Sequence, residues 1–148
     1  MRFFQVKVKY IKMLENGSLK RVSETYVLDA ETFGDAEARI TKELEPYKPE
    51  EFEVTAIRPT PIELFLRQDP NGRFYDVMVC HVALDPVTGK EIKVPYTYLI
   101  QDTDAESAGK SALLKCINGL NDVEITHINE TGIVEVFWTE EPLINSLE

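Results

Sequence analysis

The chain begins with an alternation of apolar and polar side chains over residues 2–11, which is typical of a β-strand with one buried face. Asn16-Gly17 then signals a hairpin turn, and a second alternating segment returns from it. The second half of the chain repeats this pattern around a turn at residues 85–90. The side chains predicted to face a core are Phe4, Val6, Val8, Tyr10, Tyr26, Leu28, Tyr96, Tyr98 and Ile100.

Each hairpin is followed by a segment with the apolar spacing of an amphipathic helix. Thr32 and Thr103 suit the N-cap positions, and Glu106 completes a capping-box pattern with Thr103. Pro46 and Gly119 indicate where the helices end. The predicted buried stripes are Phe33, Ala36, Ile40 and Leu44 in the first helix, and Ala105, Ala108, Ala112 and Cys116 in the second, widened by Leu113, Ile117 and Leu120.

A closing strand is predicted after each helix, at residues 52–57 and 123–128. Each strand is interrupted, at 58–61 and at 129–132, and then resumes. The pattern leaves open whether the interruption is a β-bulge or a tight turn.

These elements recur in the same order at a nearly constant offset, so that Ile11 corresponds to Val82 and Thr25 to Thr97. This recurrence indicates a tandem duplication of residues 2–66 and 73–138. A lone copy has too little sheet to cover its helix, so we expect the copies to share one core. The predicted fold is α+β: two tandem ββαβ repeats form one antiparallel-rich sheet, related by a pseudo-twofold axis, with two helices on one face. We expect a single domain over 1–138 and an acidic C-terminal tail over 139–148.

Four segments of the chain resemble a known family: 52–65, 73–77, 84–91 and 128–137. The family is an uncharacterised domain of unknown function, found in small acidic proteins from gut Bacteroidetes and their phages. The resemblance covers residues 2–138, and its motifs are strands and turns. It implies a cytoplasmic protein encoded by a bacterium, a prophage or a phage, and it carries no established activity or catalytic residue.

The composition narrows the function classes. The 148 residues carry a net charge of −10, which argues against a general duplex-DNA binder. No apolar run approaches the roughly 18 residues of a membrane span, and the first residues alternate too soon for a signal peptide. Two cysteines are too few for a disulfide framework or a thiolate zinc cage. We therefore expect a cytoplasmic protein with reduced thiols.

Candidate chemistry is sparse in this sequence. His81, His127, Cys80 and Cys116 lack metal-ligand spacing, and we interpret both histidines as core or rim side chains. Phosphate-binding loops and a serine nucleophile elbow are absent. We accordingly predict no catalytic, cofactor-binding or metal site. No motif supports a third hypothesis, a small enzyme with its active site in a cleft between the copies. A deep pocket lined by Glu, His and Cys side chains would favour that hypothesis.

The first hairpin is a basic element in an acidic chain, with six basic residues against Glu15 within residues 1–22. Lysines beside aromatic rings on a sheet face bind single-stranded nucleic acid in some proteins. Solvated lysines that protect a sheet edge are the simpler interpretation. The candidate nucleic-acid-binding residues are Phe3, Lys7, Lys9, Lys12, Lys20, Arg21 and Phe74, with Phe4 as a further stacking candidate.

The two copies differ on the outer face of their first strands, where Lys7 and Lys9 correspond to Met78 and Cys80. We expect an apolar face of this kind to be shielded from water, and self-association through this face is the simplest way to shield it. The alternative cover is the C-terminal tail, through Trp138, Leu143, Ile144 and Leu147. The candidate self-association residues are Phe74, Met78, Cys80 and Val82.

The sequence therefore favours a non-enzymatic accessory or binding protein that acts through protein–protein contacts. The sequence does not identify the protein partner. We expect a homodimer, and we expect no association with a membrane. The alternative is a single-stranded nucleic-acid-binding accessory protein that uses the basic N-terminal hairpin.

Overall fold

The computed structural model of the chain describes residues 2–47, 52–116 and 122–141. Within these ranges the order of elements in the first half, ββαββ, recurs in the second half. The first half contains β1 (Arg2–Met13), β2 (Leu19–Ala30), α1 (Phe33–Leu44), β3 (Phe52–Pro59) and β4 (Ile62–Arg67). The second half contains β5 (Arg73–Leu84), β6 (Glu91–Asp102), α2 (Ala105–Cys116), β7 (Asp122–Glu130) and β8 (Ile133–Phe137).

The strands form two four-stranded sheets, so the expectation of one sheet is wrong. One sheet has the order β3-β1-β2-β8 and the other β4-β6-β5-β7. The first three strands of each half pair antiparallel with one another, whereas β8 pairs parallel with β2 and β4 pairs parallel with β6. Each half therefore gives its last strand to the sheet of the other half. The pseudo-twofold relation between the copies stays a prediction.

The interruptions at 58–61 and 129–132 are the points where the chain changes sheets, and are neither a bulge nor a turn within one sheet. Thr60 donates its backbone N–H to the carbonyl of Phe3 at 2.9 Å, and Thr131 does the same to Phe74 at 2.9 Å. After these bonds the chain leaves the ladder. Pro61 has no N–H to continue it.

As a result of this exchange, the chain divides into two compact units. Unit 1 comprises Met1–Thr60 and Ile133–Glu148, and unit 2 is the continuous segment Pro61–Gly132. Each unit buries its own hydrophobic cluster. The prediction from the sequence is different: one core shared by both copies.

In unit 1, α1 packs on the sheet face that the alternation of β1 predicts to be buried. The helix begins as predicted, because the Thr32 hydroxyl accepts the Asp35 N–H at 3.1 Å. Phe33 is half exposed and contacts the ring of Phe4 edge-on, at 5.2 Å between centroids. The buried cluster is Phe4, Val6, Val8, Tyr26, Leu28, Ala30, Ala36, Ile40 and Leu44.

In unit 2, α2 packs in the same way on β5, β6 and β7. Its cap differs from the prediction: Asp104 accepts the Ser107 N–H at 2.8 Å, whereas the Thr103 hydroxyl bonds the Ser107 hydroxyl at 3.3 Å. The predicted helix end at Gly119 lies outside the described residues, as do Ile117, Leu120 and the tail residues Leu143, Ile144 and Leu147. The buried cluster is Tyr75, Val77, Val79, Ile100, Ala108, Ala112 and Cys116.

A buried carboxylate holds the exchanged strand β8 in unit 1. Asp29, 3% exposed, accepts the Thr139 N–H at 3.0 Å and the Thr139 hydroxyl, and pairs with Arg39 Nη1 at 2.8 Å. Arg39 Nη2 also donates to the Phe137 carbonyl at 3.3 Å. Burial acts to raise the pKa of Asp29, but the bonds from Thr139 and Arg39 outweigh it and lower that pKa. The ionised carboxylate therefore joins β2, α1 and the end of β8.

In unit 2 a neutral side chain, that of Gln101, takes the place of the carboxylate and holds β4. Gln101 is buried, and its Oε1 accepts a bond from Arg67 Nη1 at 2.6 Å. Its Nε2 donates to two carbonyls of the β4–β5 turn, at 3.2 and 3.1 Å. In the sequence alignment of the two halves, Gln101 corresponds to Asp29 and Arg67 to Thr139, so aligned positions hold the exchanged strand in each unit.

The exchange predicts which half-length fragment folds. A fragment of residues 61–132 contains all four strands of its sheet, so we expect a cooperative urea transition by circular dichroism. A fragment of residues 73–138 lacks β4, and its β8 lacks the partner strand β2, so we expect no cooperative transition. Equal stability of the two fragments would contradict the exchange.

The Asp29 network predicts a dependence of stability on pH. Because the pKa of folded Asp29 is lowered, its contribution to the free energy of unfolding is present above about pH 4, the usual aspartate pKa. It is lost as the pH falls through the folded pKa, and Asp29→Asn removes this dependence. We also expect Arg39→Met to cost about 1.5–3 kcal/mol in urea unfolding at pH 7.

The matched control for Arg39→Met is Glu43→Gln. This change removes the charge of Glu43, which forms an i,i+4 ion pair with Arg39 at 3.1 Å at the helix surface, and we expect a cost of at most about 0.5 kcal/mol. An equal loss of unfolding free energy in the two variants would show that the buried Asp29–Arg39 pair contributes no more to stability than the surface pair.

Candidate functional site

The tip of the first hairpin, residues 11–21, carries several exposed large apolar side chains. β3 pairs with β1 only as far as Tyr10, and β8 pairs with β2 only from Thr25, so the tip is a two-stranded ribbon. Every residue of the tip is exposed. Gly17, with φ of 84°, closes the predicted Asn16-Gly17 turn. We call this element the basic tip.

The pairing register separates the basic tip into two faces. Ile11 pairs with Arg21 and Met13 with Leu19, which gives one face three apolar side chains that are 52%, 69% and 65% exposed. On the other face Lys12 lies directly opposite Lys20. Two like charges at this spacing repel each other, so an anionic group from a partner would be favourable there.

The five candidate cations do not form one patch. Lys7, Lys9 and Arg21 lie on the sheet face away from α1, whereas Lys12 and Lys20 lie on the face toward it. All five are exposed. A groove of about 440 Å³ contains two of them, and it is lined by Lys9, Tyr10, Ile11, Arg21, Phe52 and Glu53.

The aromatic residues proposed to stack on bases are buried. Phe3 is 9% exposed and contacts Trp138 edge-on at 5.7 Å, and Phe74 is 5% exposed and stacks on Phe65 at 6.2 Å. Phe4 lies in the core of unit 1. This burial weighs against the stacking prediction, because β4 and the segment after β8 supply aromatic rings that contact Phe74 and Phe3.

The predicted self-association face on β5 is not an open apolar surface. Phe74 and Cys80 are buried, and Met78 and Val82 are partly buried. Lys93 pairs with Val82 on one side of β5, and Glu124 pairs with Cys80 on the other. The Lys93–Glu124 ion pair, at 2.9 Å, spans the strand between them. Polar side chains of the flanking strands thus cover part of this face, which the sequence pattern of β5 alone does not reveal.

The helix side of unit 1 carries a hydrogen-bonded group next to the core. The hydroxyls of Tyr10 and Tyr26 donate to the two carboxylate oxygens of Glu24, at 2.9 and 2.7 Å. Burial of the Tyr26 phenol, followed by its bond to Glu24, raises the pKa of Tyr26. In unit 1 both carboxylate oxygens of Glu24 therefore accept bonds from side chains of the same unit.

The corresponding part of unit 2 is an open groove of about 410 Å³, which we call the aromatic groove. The His81 ring meets Tyr96 edge-on at 5.1 Å, and Cys116 Sγ donates to the Tyr98 hydroxyl at 3.3 Å. Burial and the bond to Cys116, with a smaller effect of the Glu63 charge, raise the pKa of Tyr98 to about 12. The groove is lined by Glu63, Leu64, His81, Ala83, Val94, Tyr96 and Tyr98.

These side chains are suited to holding a ligand. The Tyr98 hydroxyl accepts a bond from the Cys116 thiol, and Cys116 is buried behind it. In the described part of the chain, no three His, Cys, Asp or Glu side chains are placed to hold a metal ion. No helix in the described ranges is long and apolar enough to cross a membrane.

Sequence reasoning identified His81 as a core or rim side chain, and the structure places it partly buried at the edge of the aromatic groove. It missed the groove itself. The alternation that places Val94, Tyr96 and Tyr98 on one face was an available signal. No sequence pattern could have placed Glu63 at the groove, because β4 joins this sheet only through the strand exchange.

Comparison with curated proteins and with solved structures finds no significant match to this chain. A family model does match, and it spans residues 2–139. It agrees with the resemblance of the strand and turn segments to a domain of unknown function. Since the model covers nearly the whole sequence, the chain belongs to the family of the domain of unknown function DUF4494.

Proposed function

We propose that the chain is a non-enzymatic accessory protein that binds another protein through the basic tip. The observation that carries the proposal is the exposure of four large apolar side chains on one two-stranded ribbon. Neighbouring exposed apolar side chains of this kind are typical of interaction surfaces. They are Ile11, Met13, Leu14 and Leu19.

The charge of the basic tip specifies the partner surface. Glu15 is the sole carboxylate of residues 11–21, while Lys12, Lys20 and Arg21 are cations. The whole chain has a net charge of −10, so the tip contrasts with the rest of the protein. Such a contrast orients an incoming partner more than it adds affinity. The partner surface we propose is apolar with acidic groups around it.

Single-stranded nucleic acid is the alternative ligand. The exposure of Lys7, Lys9, Lys12, Lys20 and Arg21 favours it. The burial of Phe3 and Phe74 weighs against it, because base stacking contributes much of the affinity for single strands. The apolar face of the tip also has no role in phosphate binding. We therefore favour a protein partner, in the cytoplasm of a bacterium or of the host of a phage.

The first test replaces two apolar side chains of the tip, Met13→Ser with Leu19→Ser. Proteins captured from the native host by the wild type are identified by mass spectrometry, purified, and titrated by calorimetry. We expect the variant to lose affinity at least tenfold, since each buried apolar side chain contributes about 1.5–3 kcal/mol.

The control for this test carries Leu114→Ser with Val134→Ser, which changes two exposed apolar side chains outside the tip. We expect it to bind as the wild type does. Undiminished binding by the tip variant would exclude the basic tip as the contact element.

The second test concerns nucleic acid. We expect no binding of single-stranded DNA or RNA oligonucleotides by the wild type at low salt and neutral pH, measured by fluorescence anisotropy. Binding that falls steeply with salt, and that is abolished by Lys7→Glu, Lys9→Glu and Lys12→Glu together, would instead favour the nucleic-acid alternative.

A further inference from the structure

The aromatic groove of unit 2 differs from the equivalent part of unit 1 in one decisive position. Glu24, which accepts both tyrosine hydroxyls in unit 1, corresponds in the repeat to Tyr96. Tyr10 likewise corresponds to His81. Unit 2 therefore lacks the carboxylate that accepts both tyrosine hydroxyls in unit 1, and the residue at that position, Tyr96, lines the aromatic groove.

The aromatic groove does contain a carboxylate, but it belongs to a different strand. Glu63 belongs to the exchanged strand β4 and is exposed at the side of the groove. None of the residues that the structure describes donates a hydrogen bond to the Glu63 carboxylate or forms an ion pair with it. Lysine and arginine are both missing from the described lining. An unpaired anion beside two tyrosine rings is a favourable place for an organic cation.

The apolar part of the lining suits the stem of a long cationic side chain. Leu64, Ala83 and Val94 supply aliphatic surface in the same groove as the tyrosines and Glu63. Lysine and arginine bury their methylene stems on such a surface while the charged head reaches a polar group.

The sheet beside the aromatic groove offers a place for the backbone of a peptide. β4 pairs with β6 only from Thr97 onward, so in the described chain the stretch 91–96 of β6 is a sheet edge next to the groove, to which Pro95 contributes a carbonyl but no N–H. An extended segment added to a sheet edge presents alternate side chains to one face, which here is the face of Val94 and Tyr96. This geometry favours a polypeptide over a free amine.

We propose that the aromatic groove binds a lysine or arginine side chain of an extended segment in a partner protein. The charged head lies at Glu63 and against the rings of Tyr96 and Tyr98, and the stem lies along Leu64 and Val94. The site is separate from the basic tip and has the opposite charge preference, so it does not depend on the function proposed above.

The test uses blocked tripeptides, acetyl-Val-X-Val-amide, with lysine, arginine or norleucine as X. Norleucine has the aliphatic stem of lysine without the charge. Binding to the full chain is followed by the backbone amide shifts in two-dimensional NMR. We expect shifts at residues of the aromatic groove, and a Kd at least fivefold lower for the lysine and arginine peptides than for the norleucine peptide.

The decisive variant is Glu63→Gln, which removes the charge and keeps the shape. We expect it to raise the Kd of the lysine peptide to that of the norleucine peptide, whose own affinity stays unchanged. Glu53→Gln is the matched control, since it removes an exposed carboxylate from the groove of unit 1. It leaves the preference for lysine intact.

Two results would overturn the proposal. Equal affinity for the lysine and norleucine peptides, or a lysine preference that survives Glu63→Gln, excludes cation recognition by this groove. If n-butylammonium binds as tightly as the lysine peptide, the ligand is a small amine and the polypeptide partner is wrong. The Met13→Ser, Leu19→Ser variant keeps the lysine preference, which separates this test from that of the basic tip.

Discussion

The exchange of the last strand of each half is the constraint on which the rest of this structure depends. Neither three-stranded half completes its sheet alone, so β8 joins β2 and β4 joins β6. A buried polar residue on the receiving strand, Asp29 or Gln101, fastens each incoming strand through bonds to Thr139 or Arg67. Because a buried polar group without partners is costly, these positions favour the exchanged pairing.

The same constraint determines which surfaces are free. The incoming strands bring rings that cover Phe74 and Phe3, so these side chains become part of the structure and are not available to a ligand. The incoming strands are also short. They pair with only part of β2 and β6, so the ends of both hairpins have no third strand on that side in the described chain. The basic tip and the edge beside the aromatic groove both result from this difference in length.

The two units carry different side chains at equivalent positions of the sequence. In unit 1 the tyrosines next to the core donate to Glu24, and exposed lysines and apolar side chains are concentrated in the basic tip. In unit 2 the carboxylate comes from β4 and stands unpaired among the described residues, beside aromatic rings. The two surfaces that we propose as binding sites therefore differ in charge: the basic tip is cationic, and the aromatic groove carries a carboxylate.

The sequence by itself determined the local elements. Alternation along β1 and β5, the turns at Gly17 and Gly89, and the stripe of α1 all depend on residues close together in the chain. It did not determine which sheet receives β4 and β8, because a short apolar strand fits the edge of either. Only the tertiary structure decided that, through contacts between residues far apart in sequence such as Asp29 with Thr139. The burial of the aromatic candidates and the position of Glu63 followed from that choice, since both depend on which strand lies alongside.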